Sequence, residues 1–229
     1  MPTMVGKNPI PTGVIVRPEI QTVTFSLDNF RITDTRSRHE DTDYVSFTLL
    51  VRDAHGNGTP QTLKKSMGNL NNGTFNVGLS FQNVVVPNGG SVAFNYLIVN
   101  SGHQSESDVY KVLETTGSAL ANKALVAGGT ALGTAILPGL GTILGAIGGW
   151  LAGEISAILN ANCDGPVAAE QVTLAYADLM SKIANGPDTV TTKHPGTDSA
   201  TGCGGNSMYY VTWHIAKGIL EPVRPVLNQ

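Results

Sequence analysis

The chain has 229 residues, of which 14% are charged, and its net charge is -3. This length fits one large domain or two small ones and is enough to bury a sizeable core. A nucleic-acid-binding chain would show a basic patch, so sparse charge with a negative balance argues against that class. No phosphate-binding P-loop pattern occurs, and we expect no nucleotide ligand.

The first residues are extended and interrupted by proline. Residues 1–18 contain four prolines and lack the charged region followed by an apolar run that marks a secretory signal. No secretory signal is therefore expected, and the compartment stays open between a cytoplasmic location and release by a non-classical route.

Alternating apolar and polar residues predict several strands in the first hundred residues. Turn sequences rich in Asn, Gly and Pro separate them, which is typical of an antiparallel β-sandwich. The clearest runs are Val23–Leu27, Tyr44–Val51, Phe75–Phe81 and Val92–Val99. Residues 59–73 read as a polar loop that holds at most a short strand.

The pattern changes after residue 104. Ser105, followed by acidic residues in the first turn, predicts the start of an amphipathic helix that runs into an apolar stretch. A second helix is predicted over Val167–Ala184, then a loop over 188–207 and a final strand, Met208–Ile215, that rejoins the sandwich.

The predicted fold class is α+β, an antiparallel β-sandwich with an inserted glycine-rich helical hairpin and flanking helices. Its parts are the first part of the sandwich (1–104), a helical insertion (105–185) and a last part with a loop, the final strand and an extended tail (186–229).

The insertion contains an unusual apolar stretch, Ala124–Leu159, in which Glu154 is the only charged residue. Pro138-Gly139 divides it, which predicts two helices joined at a tight corner. The second arm, Leu140–Leu159, reaches the roughly 20 residues that a bilayer span requires, whereas the first arm is shorter.

Glycines recur at every fourth residue of this hairpin and form a stripe along each arm. Such a stripe lets another helix approach closely, as in helix pairs inside membranes. In character the stretch resembles glycine-zipper segments and the hydrophobic hairpins of colicin-type pore formers. The predicted membrane or oligomerisation residues are Gly129, Gly133, Gly141, Gly145, Gly149, Gly153 and the single aromatic residue, Trp150. The alternative is an αα-hairpin that packs in water against a sheet or against a copy of itself.

An acidic loop lies between the first two predicted strands. Asp34, Asp41 and Asp43, with Glu40 beside them, could bind calcium, because hard cations prefer several carboxylate oxygens from a flexible loop. The loop loosely resembles the acidic loops of C2-type sandwiches. The alternative is a solvated loop whose acids pair with the neighbouring basic residues.

The two cysteines, Cys163 and Cys203, both lie in glycine-flanked, loop-like sequence. A disulfide between them would fasten the end of the apolar pair to the last strand. Two free thiols are an equal alternative, because the compartment is unknown. Their spacing does not fit a zinc site.

We find no catalytic motif and predict that the protein is not an enzyme. His39 beside acidic residues is suited to acid–base chemistry, but no nucleophile accompanies it. The favoured hypothesis is a membrane-active, pore-forming or toxin-like protein that contacts membrane lipid or associates with itself. The alternative is a soluble binding or structural module whose hairpin serves oligomerisation or core packing.

Overall fold

In the computed structural model the chain is described over residues 21–126, 163–196, 203 and 205–218. This part of the chain forms eight strands and two helices. In chain order they are β1 (Thr22–Asp34), β2 (Asp41–Arg52), β3 (Gln61–Leu70), β4 (Gly73–Val85), β5 (Ser91–Asn100), α1 (Glu106–Val126), β6 (Gly165–Ala175), α2 (Tyr176–Lys182), β7 (Asp188–Pro195) and β8 (Met208–Lys217).

The strands form two antiparallel sheets of four strands each. Sheet I has the order β4-β1-β8-β7, and sheet II has the order β3-β2-β5-β6. The prediction that the last strand rejoins the sandwich is confirmed, because β8 lies between β1 and β7. The coarse expectation of a mostly β chain with added helices is therefore confirmed.

The core between the sheets is apolar and rich in aromatic side chains. Phe94 of sheet II contacts Phe25 and Trp213 of sheet I, with ring centroids 5.7 and 5.0 Å apart. Phe47 contacts Phe81 across the same space at 5.5 Å. These side chains alternate with outward polar ones along β1, β2 and β8, which is why the sequence pattern predicts these strands well.

Helix α1 packs on the outer face of sheet II. Its first turn is capped as predicted, because the Ser105 hydroxyl accepts a hydrogen bond from the backbone N–H of Asp108 at 3.3 Å. Its N-terminal half packs near Tyr44 and Val99, and Ala121 packs against Leu50 at the other end of the sheet. The helix therefore runs antiparallel to β5, from the end of sheet II where the helix begins to the other end.

The predicted helix over Val167–Ala184 is wrong in its first half, because Gly165–Ala175 forms strand β6. This strand pairs with β5 and is buried on both faces, against sheet I on one side and under α1 on the other. A doubly buried strand gives a nearly continuous apolar run, which periodicity cannot distinguish from a buried helix. The chain between strands of sheet II is therefore 101–164, shorter than the insertion predicted for 105–185.

Two segments predicted as loops are strands. Asp188–Pro195 forms β7 and Gln61–Leu70 forms β3, which are both edge strands. The inward positions of β7 include Thr192 and His194, so the strand carries no alternation of apolar residues. In β3, Lys64 and Lys65 give the polar character that protects exposed edges from pairing with other chains.

The apolar hairpin lies almost entirely outside the described residues. Only its first three residues, Ala124 to Val126, are described, as the last turn of α1. The predicted stripe from Gly129 to Gly153, with Trp150, lies in the range 127–162. No helix in the described ranges is both long enough and apolar enough to cross a membrane.

We predict that Gly117→Ala destabilises the protein although alanine favours helix. A Cβ at Gly117 would clash with the Thr48 hydroxyl and would lie 3.3 Å from the Asn95 side-chain oxygen. Because the gain in helix propensity is about 1 kcal/mol and overpacking costs about 1–3 kcal/mol, a net loss is expected. Urea unfolding measures the change.

Thr48→Ala provides the control for this prediction, because it removes the clashing hydroxyl. In the Thr48→Ala background, Gly117→Ala should be less destabilising than in the wild type, because the closest contact is gone and only the 3.3 Å contacts remain. Equal destabilisation in both backgrounds would mean that contact with Thr48 is not the cause.

Candidate functional site

The acidic residues proposed for calcium separate in the structure. Asp34 ends β1 and is exposed, whereas Asp41 and Asp43 lie at the start of β2 and are fully buried. Both buried side chains point between the sheets, where they meet Tyr209 of β8. The structure therefore brings two of the three predicted ligands together and leaves the third outside.

Asp41 closes the loop between β1 and β2. Its two carboxylate oxygens accept hydrogen bonds from the backbone N–H groups of Arg36 at 2.6 Å and Ser37 at 2.7 Å. One of the same oxygens also accepts the Tyr209 hydroxyl at 2.7 Å. Three donors converge on this carboxylate, so both of its oxygens are hydrogen-bonded despite burial.

Asp43 is the less satisfied carboxyl of the pair. Its Oδ2 lies 2.9 Å from the Tyr209 hydroxyl, and its Oδ1 has no hydrogen-bond partner among the described residues. Burial raises the pKa of Asp43 well above its usual range, and the charge of Asp41 raises it further. Burial and the two carboxyls also raise the pKa of Tyr209.

One proton arrangement satisfies both contacts of Tyr209. Since a phenol has a single proton, Tyr209 donates to ionised Asp41 and accepts from Asp43 in its protonated form. Asp41, Tyr209 and Asp43 thus form a buried proton-sharing chain. No group of three or more His, Cys, Asp and Glu residues in the described ranges is placed to hold a metal ion, and calcium binding stays a prediction.

We predict that Asp43→Asn stabilises the protein at neutral pH. The raised folded-state pKa of Asp43 means that its stabilising contribution is full below the unfolded-state pKa and is lost as the pH rises toward the folded-state value. An amide keeps a donor for the Tyr209 oxygen and never ionises. The expected gain at pH 7 is about 1–2 kcal/mol, seen as a raised melting temperature, with little difference from wild type at pH 4.

Asp41→Asn provides the contrast, because it removes the charged acceptor of two backbone N–H groups. We expect it to lower the melting temperature. A stabilisation that is equal at pH 4 and pH 7 would show that ionisation of Asp43 is not the cause.

A second buried polar cluster surrounds Glu170 of β6. One oxygen of its carboxylate accepts hydrogen bonds from Tyr96 at 2.7 Å, Thr192 at 2.9 Å and the Trp213 indole N–H at 3.0 Å. Its other oxygen has no partner in the described chain. The sequence pattern did not indicate this cluster, because residue 170 was predicted to lie on a helix.

His194 extends the Glu170 cluster. Its Nε2 lies 2.7 Å from the Tyr96 hydroxyl, and its Nδ1 is buried with no hydrogen-bond partner in the part of the chain that the structure describes. Since Tyr96 donates its one proton to Glu170, His194 donates from Nε2 and its Nδ1 carries no proton. Burial lowers the pKa of His194 to about 4, so the ring is neutral at physiological pH.

We predict that His194→Gln makes the protein less sensitive to acid. The lowered pKa of His194, about 4 in the folded state, means that stability is lost as the pH falls from the unfolded value of roughly 6.5 toward 4. This loss is at most about 3.5 kcal/mol at 1.4 kcal/mol per pH unit. Glutamine donates to Tyr96 but does not titrate. Urea unfolding at several pH values measures the difference between variant and wild type.

His214→Gln is the matched control. His214 also contacts a carboxylate, Asp28 at 2.8 Å, but it is half-buried and faces outward. If His214→Gln reduced the acid sensitivity as much as His194→Gln does, the effect could not be assigned to the buried ring.

The remaining histidines do not assemble a reaction centre. His103 contacts Asp164 at 3.1 Å, and Asp164 also accepts the Ser101 hydroxyl at 3.1 Å. The Ser101 proton is thus directed at the carboxylate and not at the imidazole. His39 is exposed in the loop after β1. That the protein is not an enzyme stays a prediction.

In the structure Cys163 and Cys203 form a disulfide. The backbone oxygen of Cys163 also accepts hydrogen bonds from the Arg36 side chain at 2.7 Å and the Asn100 side chain at 3.3 Å. The chain that returns from range 127–162 is therefore fixed beside the last residue of β5. It had left the described part at Val126, at the other end of sheet II.

Comparisons with protein-family models, with curated proteins and with solved structures give no match for this chain. The function is therefore argued from the chain itself.

Proposed function

We propose that this protein is a non-enzymatic, membrane-active protein of the pore-forming or toxin-like kind. In this proposal the β-sandwich recognises a surface, and the glycine-rich stretch Ala124–Leu159 forms a helical hairpin that enters a bilayer and associates with itself. The partners are membrane lipid and further copies of the chain.

The observation that carries the proposal is the composition of the stretch. It has one charged residue, Glu154, and its second arm carries glycines at 141, 145, 149 and 153. In water, glycine costs a helix about 1 kcal/mol relative to alanine. In a membrane the same glycines allow close helix packing, which offsets that cost.

The packing of the sandwich supports the proposal, because side chains of the strands and of α2 fill the core between the sheets. The space between the sheets is filled by residues of the strands and of α2, such as Phe25, Phe94, Trp213 and Leu179. We infer that the apolar stretch is not required as filling between the sheets and is available for another environment.

The attachment of the stretch also supports the proposal. Helix α1 brings the chain to the end of the sandwich formed by Arg52 and Ser91, where the Arg52 side chain contacts Asn122 at 3.3 Å. Val85 is the one large apolar side chain in the described ranges that is exposed. It is half exposed and lies at the same end of the sandwich, where β4 ends. We propose that this end faces the bilayer.

Release of dye from liposomes tests the proposal. Wild-type protein should cause release, and Gly145→Leu or Gly149→Leu should abolish it, because leucine prevents close approach of helices along the stripe. Thr142→Leu is the matched control, since it adds the same side chain to the same arm outside the four-residue series. Thermal melts of all variants show whether the sandwich remains folded.

Absence of release from liposomes of every composition, together with a stable oligomer in solution, would contradict the proposal. That outcome would favour the alternative, a soluble binding or structural module whose hairpin holds copies of the chain together. Equal loss of release in Thr142→Leu would mean that added bulk, and not the stripe, is responsible.

A further inference from the structure

The two outer faces of the sandwich differ in what covers them. Helix α1 packs on β2, β3, β5 and β6 and covers sheet II, and α2 packs against β6. Neither of the two described helices packs in this way on sheet I. The outward side chains of sheet I are polar over most of its width, and the side chains that face the core are the apolar ones.

One row of side chains across this outer face carries positive charges that no carboxylate in the described ranges pairs with. Arg31 of β1 pairs in register with Tyr210 of β8, and Tyr210 pairs with Lys193 of β7. Arg31 and Lys193 are exposed, and within the described ranges neither has a carboxylate partner. Two strand spacings separate them, about 9.6 Å.

The arginine of this row is held in place without being neutralised. Its guanidinium carbon lies 4.4 Å from the centroid of the Tyr210 ring. Stacking of this kind fixes the plane of the guanidinium and leaves its N–H groups available for an oxyanion, which arginine binds through two parallel hydrogen bonds. Fewer side-chain conformations are then lost when an anion binds.

The rows on one side of these cations offer hydrogen bonds without net charge. In the next row Asn29 pairs with Thr212, whose hydroxyl lies 2.9 Å from that of Thr191. One row further, His214 contacts Asp28 at 2.8 Å, so this carboxylate is directed at an imidazole and not at Arg31. On the opposite side of the cation row, exposed Asp34 at the end of β1 is in register with Met208. The face therefore presents cations along one row, neutral hydroxyl and amide groups on one side of it, and a single carboxylate at the strand end on the other.

We propose that the outer face of sheet I binds an acidic glycan, a sugar polymer that carries carboxylate or sulfate groups. The Arg31–Tyr210–Lys193 row holds two acidic groups of the polymer, and the Asn29–Thr212–Thr191 row hydrogen-bonds to its sugar hydroxyls. In the proposed function, this glycan is the surface that the sandwich recognises. The proposal rests on that function only for its biological setting.

Charge and shape favour a glycan over other anions. A nucleic acid carries a charge at every nucleotide and is bound by many cations, whereas this row has two. A lipid headgroup is best met by cations with apolar side chains beside them, which sink toward the acyl chains. The residues on one side of this row carry hydroxyl and amide groups, and an open sheet face suits an extended polymer of hydroxylated rings.

Binding to a sulfated polysaccharide, measured by titration calorimetry at low salt, tests the proposal. Arg31→Gln and Lys193→Gln should each weaken binding about tenfold, because each removes a charge-assisted contact. Tyr210→Val should weaken it as well, and Tyr210→Phe should restore it, since phenylalanine keeps the ring under the guanidinium. Added salt should weaken wild-type binding.

Lys111→Gln is the matched control. Lys111 is an exposed cation on α1, on the opposite side of the sandwich, and its replacement changes the net charge by the same amount. If Lys111→Gln weakens binding as much as Arg31→Gln, attraction is non-specific and the proposal is overturned. Absence of binding to sulfated and to carboxylated polysaccharides at low salt overturns it equally.

Flotation with vesicles that contain phosphatidylserine separates the glycan from a lipid. Vesicle binding that requires Arg31, without glycan binding, would overturn the assignment in favour of a lipid headgroup. Dye release from vesicles that lack glycan tests the hairpin alone. A failure of the glycan proposal can thus be distinguished from a failure of the proposed function.

Discussion

Carboxyl groups of sheet II that are hydrogen-bonded to side chains of sheet I hold the two halves of the sandwich in one alignment. Glu170 projects from β6 and accepts donors from Thr192 and Trp213 of the opposite sheet. Asp41 and Asp43 project from β2 and meet Tyr209 of β8. A buried carboxylate without donors costs several kcal/mol, so sliding one sheet over the other by a residue would leave these groups unsatisfied. Apolar contacts alone tolerate such slippage far better.

The buried carboxyl groups also fix a surface loop, at the end of the sandwich that carries the disulfide. Asp41 uses the backbone of Arg36 and Ser37 to fold the loop between β1 and β2 back over the core. Arg36, held in that loop, contacts the backbone oxygen of Cys163. The point where the chain re-enters sheet II is thus fixed by a hydrogen-bond path that starts at a carboxylate inside the sandwich. In contrast, the C-terminal end of α1, where the chain leaves sheet II, is held mainly by small side chains such as Ala121 against Ala93.

Where inward apolar residues alternate with polar ones, the sequence predicts the fold well. β2 and β8 show this alternation, although α1 buries the second face of β2, and the Ser105 cap marks the start of α1. β6 lacks it because its inward Glu170 is polar and its outward Ala169 is apolar. β7 lacks it because its inward positions hold Thr192 and His194. The acidic cluster shows the same limit at the level of a site. Asp41 and Asp43 lie near Asp34 in sequence and look like part of a solvated loop, but the alternation of β2 turns them into the core. Their partner Tyr209 lies more than 160 residues away in the chain, and local sequence carries no signal of that pairing.

The two faces of the sandwich suggest a division of roles that follows from what covers each. Sheet II is covered by α1, which carries the chain to the apolar stretch, so its outer face is occupied by the protein itself. Sheet I presents an aromatic ring, two cations and rows of hydroxyl groups, and no described helix packs over them. If the end at Arg52 and Ser91 faces a bilayer, the outer face of sheet I stands perpendicular to the membrane plane, because its strands run from that end to the other. Glycans extend away from a cell surface, and a face with this orientation can meet them while the hairpin meets the lipid. The geometry of a single sandwich is therefore compatible with simultaneous contact to both.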